Sequence, residues 1–424
     1  MKTRSFRPEL LWTGDRFERE RILEIGPARH RILEADAGTR ADALRGKALI
    51  PGFVNAHSHA FQRALRGSSE RFPDGKGSFW SWRRAMYSLV ESIDAESLRA
   101  ISLRAFEEMR DAGITSVGEF HYLHHGSEPW ELDDAVIDAA VEAGIRIVLL
   151  QTYYERGGFD QPVEPAQARF ASRSVDEFLD AFDRLRERRS EPLVSYGIVA
   201  HSLRAVSLEN VKLLWEAAIE RDLPFHMHIE EQRKEVEDCL QSHGATPMRL
   251  ILDELAPDSR FTAVHATHTV PAEIEELASR GARVCLTPLT EANLGDGVQP
   301  LAARIASNLA IGTDSNARIS MVEEMRWLEY VQRLVHEERG MFADAAGRLG
   351  APLLRIATEG GARSLYRSAD SPRDWTLIDL ESPSLRGWNE SNLVDVLVTA
   401  GGNSAIAGTI VAGALRESGA FRPA

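Results

Sequence analysis

The sequence predicts an α/β protein: a (β/α)8 TIM barrel with a small β-rich domain formed from both chain ends. Three observations predict it. Short apolar runs alternate with amphipathic stretches along most of the 424 residues, as in βα units on a parallel sheet. Eight such runs can be counted, the number that closes a barrel. Both ends instead show short strand-like segments broken by glycine turns.

In chain order, residues 1–48 read as irregular β structure. Residues 49–374 read as the barrel, and 375–424 as strands that join the N-terminal segment; these include "WTLIDLESPSLRG" and "DVLVTAGGNSAIAGTIVAGALRESG". Barrel strands are expected at "KALIPGFVNAHS", "GITSVGEFHY", "RIVLLQTYY", "LVSYGIVAHS", "LPFHMHIE", "FTAVHATH", "RVCLTPLT" and "LAIGTDSN". Helices such as "SLRAISLRAFEEMRDAG" and "SLENVKLLWEAAIERD" carry apolar residues three or four apart, and each begins with Ser, a good N-cap. The stretch from Arg66 to about Asp94 reads as a long insertion after the first barrel strand, on the face where barrel loops shape active sites. Trp80 and Trp82 are expected to anchor it.

Composition excludes several classes. A hydrophobic share of 43% supports a large core. The formal charge of −14 argues against nucleic acid or an anionic membrane as partner. The N-terminus has no apolar signal segment and no window offers a membrane span, so a soluble cytoplasmic protein is expected. Cys239 and Cys285 are too few for a disulfide framework or a thiolate metal site, and Cys285 reads as a small buried hydrophobe.

The strand ends carry the chemistry. His57 and His59, His121, His201, His226 and His228, His265 and His268, and Asp314 each close a predicted strand. In a barrel these ends converge on one pocket. Taken singly, a strand-end histidine is more often a hydrogen-bonded structural residue. Together they offer three imidazoles and a carboxylate, a donor set that suits zinc and leaves a position for water. His57, His59, His228 and Asp314 are the expected ligands. Strand alternation puts i and i+2 on one face, which serves His57/His59 and His226/His228 equally. The choice of His228 rests on "HIEE", which sets Glu231 one short turn beyond it. A carboxylated-lysine bridge between two metals would need a lysine at a strand end. None of the five lysines lies at one, so a single metal is expected.

"GFVNAHSHAFQRALRG", "HMHIEEQ", "VHATHT", "LTPLTEANLGDG" and "IGTDSNARISMVEEMRWLEY" resemble the amidohydrolase superfamily in its mononuclear deaminase branch. "SFWSWRRAMY", "FHYLHH" and "AHSLRAV" are similar, more narrowly, to the iminohydrolases of bacterial histidine breakdown that act on N-formimino-L-glutamate. The resemblance runs over essentially the whole chain and implies one Zn²⁺, a homodimer, and hydrolysis to N-formyl-L-glutamate and ammonia. It implies the same four ligands, Glu231 and His265 as the catalytic pair, and Gln62, Arg83, Tyr122, His201 and Arg204 at the substrate.

The implied chemistry needs a nucleophilic water and a proton for departing ammonia. Asp314 and His265 would take the water proton, and Glu231 would pass one to the leaving nitrogen. Arg83 and Arg204 suit a dicarboxylate, since guanidinium binds carboxylate bidentately; arginines that merely pair with surface carboxylates are the plainer alternative. Arg84 and His268 stand as neighbours to Arg83 and His265, which is preferred because it directly ends the run "FTAV". The stretch "LTPLTEANLGDG" contains Glu291, Asn293 and Asp296; turn chemistry explains "NLGDG", and these residues stay outside the expected site, with a contact behind the site residues as the alternative. A purine or triazine deaminase, wanting aromatic stacking and few arginines, is the nearest rival. A scaffold without chemistry is remote, because every chemical group is present.

Overall fold

The computed structural model describes residues 3–27, 29–36, 38–68, 70–72, 75–367 and 374–419. Parts of the two predicted end segments (1–2, 28, 37, 420–424) and of the insertion (69, 73, 74) lie outside them.

Two eight-stranded sheets organise the chain. The N-terminal segment supplies β1 (Arg4–Trp12), β2 (Phe17–Glu18), β3 (Arg21–Ile25), β4 (His30–Glu34) and β5 (Asp42–Pro51). Eight parallel strands then follow: β6 (Phe53–Ser58), β7 (Ile114–His121), β8 (Arg146–Tyr153), β9 (Val194–Ala200), β10 (Phe225–Ile229), β11 (Phe261–His265), β12 (Arg283–Leu286) and β13 (Leu309–Ile311). The C-terminal strands β14 (Trp375–Asp379), β15 (Ile406–Val411) and β16 (Ala414–Glu417) return to the first sheet, where β14 pairs antiparallel with β5. Every residue of β7 is buried, which a parallel strand covered on both faces requires.

Each of the eight predicted runs contains a barrel strand, with one difference at the start. Lys47–Pro51 belongs to β5 of the terminal sheet, and the chain crosses to the barrel at Gly52. The segment "DVLVTA" is not a strand but part of a helix, Leu393–Ala400. Leu393, Val394, Leu397 and Val398 bury one face of it, so packing overrides the β preference of its valines. The insertion is not wholly a loop either: it contains α1 (Phe79–Ser92), capped by Ser78. The next helix, α2 (Ala95–Asp111), is capped by Asp94. Ser97 sits three residues in and completes a capping box, so it is not the cap itself. Ser207 does cap its helix, Leu208–Glu220. Among the described residues no helix is long and apolar enough to cross a membrane.

The ring closes at a narrow seam. β6 and β13 share no ladder; a single parallel bridge, Ser58 to Asp314, joins them. Asp314 N–H donates to His57 O (3.0 Å) and His59 N–H donates to Asp314 O (2.9 Å). Asn55 accepts from Thr313 N–H (2.9 Å) and donates to its hydroxyl (2.7 Å). Asn316 donates to Ser58 Oγ and His59 O. Behind the seam a π-helical turn (Ile356–Gly360) and the short helix Gly361–Ser364 press in so closely that side chains are excluded. A Cβ on Gly361 would stand 2.5 Å from Val54 O, and one on Gly312 2.5 Å from His57 O and 2.7 Å from His57 N.

Gly312→Ala is therefore expected to cost about 1–3 kcal/mol, the range for overpacking a rigid interior. Gly402→Ala, where a Cβ meets nothing within 4 Å, serves as the control. Urea midpoints of the two variants decide it, and equal midpoints would mean that the seam yields.

Candidate active site

Each expected ligand stands where a barrel strand stops. β6 sends His57 and His59 to one face, ring centroids 4.7 Å apart. β10 carries the same spacing at His226 and His228, but here the rings part. His228 Nε2 lies 3.2 Å from His57 Nε2, whereas His226 Nε2 lies 2.8 Å from the Ser364 carbonyl behind the seam. Asp314 Oδ1 is 3.3 Å from Nε2 of both His57 and His59. All four side chains are buried.

The chemistry of this donor set fits a cation. His59 Nδ1 faces the Phe120 carbonyl at 2.8 Å, and a carbonyl only accepts, so Nδ1 carries the proton. Nε2 then presents a lone pair to the Asp314 carboxylate. Burial disfavours the protonated ring, pushing His59 down to about 3 and holding His57 and His228 below their ordinary range. Neutral imidazole nitrogens and a carboxylate facing one another without solvent need a positive charge between them. His57, His59 and Asp314 place one ligand atom each within 4.8 Å of one another, as do His57, His228 and His265.

His265 ends β11, just outside this set. Its Nε2 stands 3.8 Å from Glu231 Oε1 and 3.9 Å from Asp314 Oδ2. Burial works against a charge on this ring, but Glu231, Glu291 and Asp314 outweigh it and push His265 up to about 10. Glu231 is raised by burial. One site thus holds a carboxyl that binds its proton tightly beside an imidazole with strong proton affinity.

The remaining expected residues line the pocket above. Gln62 Nε2 donates to Tyr122 Oη (2.9 Å), while Gln62 Oε1 has no partner. His201 stacks edge-on to His228, centroids 4.9 Å apart. Arg83, from α1, donates from Nε to Tyr87 Oη (2.6 Å), its guanidinium 5.5 Å from the Trp80 ring centroid. Arg204 has a buried Nε without a partner. Among the described residues neither Arg83 nor Arg204 has a carboxylate in ion-pair reach, in contrast with Arg189, which grips Asp134, Asp138 and Glu191. Phe79, Trp82 and Met86 of α1 reduce the inner pocket to about 50 Å³. An outer cavity of about 410 Å³ adjoins it and shares Arg83, Tyr87 and Arg204.

Some sequence expectations land elsewhere. Arg84 lines only the outer cavity, and Trp82 reaches the inner pocket while Trp80 faces the outer one. His268 is half-buried and bonds the Asp296 backbone. Cys285 is buried against Ala56, Val264 and Ala310, as a small hydrophobe. His121 turns away from the pocket into a second buried cluster. Asp133 there lies 3.1 Å from His121 Nε2 and 2.8 Å from His124 Nδ1, and accepts from Gln151 (2.9 Å). His124 Nε2 faces Thr152 O at 2.8 Å, so both nitrogens of His124 are held in a buried strut, while His121 Nε2 meets Asp133 only as a close charge contact. Sequence reasoning missed Asn55 and Asn316 at the seam. It also set Glu291 aside as turn chemistry, yet this residue lies against His265. "NAHSH" and "TDSN" contained the two asparagines as the polar neighbours of the ligands.

Comparison with known proteins agrees with this geometry. A model described as "Amidohydrolase family" matches residues 48–371. A formimidoylglutamate deiminase of Pseudomonas aeruginosa is 38% identical over 396 residues, covering 90% of this chain and 87% of that one. The crystal structure of an amidohydrolase from Brucella melitensis superposes with a TM-score of 0.88 at 31% identity, covering 97% and 94%. An adenosine deaminase from Xanthomonas campestris with bound zinc superposes at 0.78 with 26% identity, covering 97% and 92%.

The strut gives a stability prediction. Burial opposes the charge on Asp133, but His124 and His121 hold its carboxyl well below the usual range. A depressed carboxylate stabilises the fold above its unfolded pKa, about 3.9, and loses that contribution as pH falls further. Asp133→Asn is expected to cost about 3–5 kcal/mol in urea titrations at pH 7. The gap from wild type should narrow only below about pH 4; a gap that is constant through pH 3 contradicts the charged strut.

Proposed function

The chain belongs to the amidohydrolase family, and from that premise we propose that it hydrolyses N-formimino-L-glutamate to N-formyl-L-glutamate and ammonia, using one Zn²⁺ per chain. One observation carries the substrate. In a protein of net charge −14, the arginines facing the pocket, Arg83 and Arg204, form no ion pair with a carboxylate among the described residues, so their guanidinium groups are available to a ligand that brings carboxylates. The Pseudomonas aeruginosa relative, named for a deiminase of such a substrate, supports the same reading.

His57, His59, His228 and Asp314 would hold the zinc, which supplies a Lewis acid and a water activated near neutral pH. The protein's own groups then move the protons. His265 Nε2, within 4 Å of both Asp314 and Glu231, takes the proton released as water adds to the formimino carbon. A cation among the ligands favours the neutral form of His265 and so readies it as a base. Glu231, raised by burial, delivers a proton to the nitrogen that leaves as ammonia, and Asp314 would accept the hydroxyl proton that departs as the formyl carbonyl forms. Tyr122, which accepts from Gln62, keeps its own hydroxyl proton for the substrate. Arg204 and Arg83 orient the two carboxylates, Arg83 at the junction of the inner pocket and the outer cavity. The same reading carries a homodimer, a cytoplasmic setting in histidine breakdown, and two units divided near residues 374/375 and, in place of the expected 48/49, at Gly52, where the chain leaves β5. A ring substrate of the kind named for the Xanthomonas campestris structure offers those arginines no carboxylate.

Ammonia release from N-formimino-L-glutamate by zinc-loaded protein is the test, with guanine as the ring control. His228→Ala should lose both zinc, by elemental analysis, and activity, whereas His226→Ala should retain zinc. Arg204→Gln should raise KM roughly 10–100-fold, the loss of one charge-assisted contact of about 1.5–3 kcal/mol. Turnover of guanine but not of the formimino substrate would overturn the substrate and leave the metal ligands standing.

A further inference from the structure

We propose that Glu291 is a positioning residue, which fixes the ring of His265 and commits its Nδ1 proton so that Nε2 is the nitrogen that takes part in proton transfer. The inference rests on the reading of His265 as the proton-transfer group. Glu291 is buried in the first turn of the helix Pro288–Leu294, which follows β12. A buried carboxylate ordinarily needs a cation. Among the described residues no lysine or arginine pairs with Glu291; it relies instead on the Nδ1–H of His265, 3.4 Å from Glu291 Oε1.

Neighbouring contacts point the same way. The Thr287 hydroxyl lies 3.3 Å from His265 Nδ1 and 3.4 Å from Glu291 Oε1, closing a three-membered group on that side of the ring. Glu231 and Asp314 occupy the opposite side, against Nε2. His265 needs such a hold because its backbone is in the left-handed region, φ 70°, followed by Ala266 at φ 53°. That conformation is costly for residues other than glycine and persists only where surroundings impose it. His265 is the last paired residue of β11, opposite Ile229 of β10, and its left-handed backbone turns the ring out of strand geometry; Glu291 supplies the aim.

The plainer role for Glu291 is helix capping, since Oε1 also accepts from Thr287 N–H at 3.0 Å. Kinetics separate the two. If Glu291 orients His265, Glu291→Ala should lower kcat about 10–100-fold, the usual loss for an outer-shell partner, with KM little changed. Glu291→Gln keeps an oxygen for both N–H donors and should recover most of that kcat. Spectra of zinc-loaded, ¹⁵N-histidine-labelled protein, with His265→Ala as the assignment control, should show Nδ1–H at His265 in wild type and Glu291→Gln. Glu291→Ala should show a mixture of tautomers. Adding Glu291→Ala to His265→Ala should cost no further activity, because a residue acting through another loses its effect with it. Wild-type kcat in Glu291→Ala, an unchanged tautomer, or the full loss repeated in the double variant would overturn the proposal. Wild-type kcat in His265→Ala would instead sink the reading of His265 beneath it.

Discussion

Two backbone hydrogen bonds, from Asp314 N–H to His57 O and from His59 N–H to Asp314 O, join the last barrel strand to the first. The site depends on that junction. Ligands more than 250 residues apart in sequence meet because the barrel closes through their own peptide groups. The seam is too short to hold by strand pairing alone, so side chains and close packing complete it. Asn55 and Asn316 cross-link it, and the glycines at 312, 360 and 361 let backbones approach where a methyl group would collide. A shift of the seam by a few tenths of an ångström would therefore move two imidazoles and a carboxylate together.

Burial then divides the charges. Removing solvent from His57, His59 and His228 keeps them neutral, which is the form that can ligate. The same desolvation raises Glu231, so it retains a proton it can give. His265 escapes the trend because three carboxylates surround it. The proposed ligands, acid and base thus differ through one cause, low polarity, modulated by how many carboxylates each group faces.

Much of this was legible in the sequence, for identifiable reasons. The eight strands announce themselves as apolar runs, and the polar residues that end them include the four the structure gathers at the seam, His57, His59, His228 and Asp314. His226 against His228 was undecidable by alternation, since both obey it; only the Ser364 carbonyl behind the seam separates them. The helix Leu393–Ala400 was misread because its valines favour strands and its buried face is created by partners distant in sequence. Glu291 reads as outside the site because the adjoining "NLGDG" suits a turn, yet it stands in the first turn of the helix Pro288–Leu294, and its contact with His265 links two strand ends that no local pattern connects.

The donor set and the substrate contacts differ in how freely they can change. His57, His59 and Asp314 are part of the barrel's closure, so altering them disturbs the fold as well as the metal site. Arg83 lies on α1 and Arg204 just beyond β9, and neither takes part in the seam. Phe79, Trp82, Met86 and Tyr87 come from the same short helix and shape the inner pocket. Replacing that helix would change pocket volume and charge while leaving the ligand geometry intact. On the proposed reading, the choice between a dicarboxylate and a ring substrate therefore falls on residues 79–87 and 204, while the groups assigned to hydrolysis stay with the barrel.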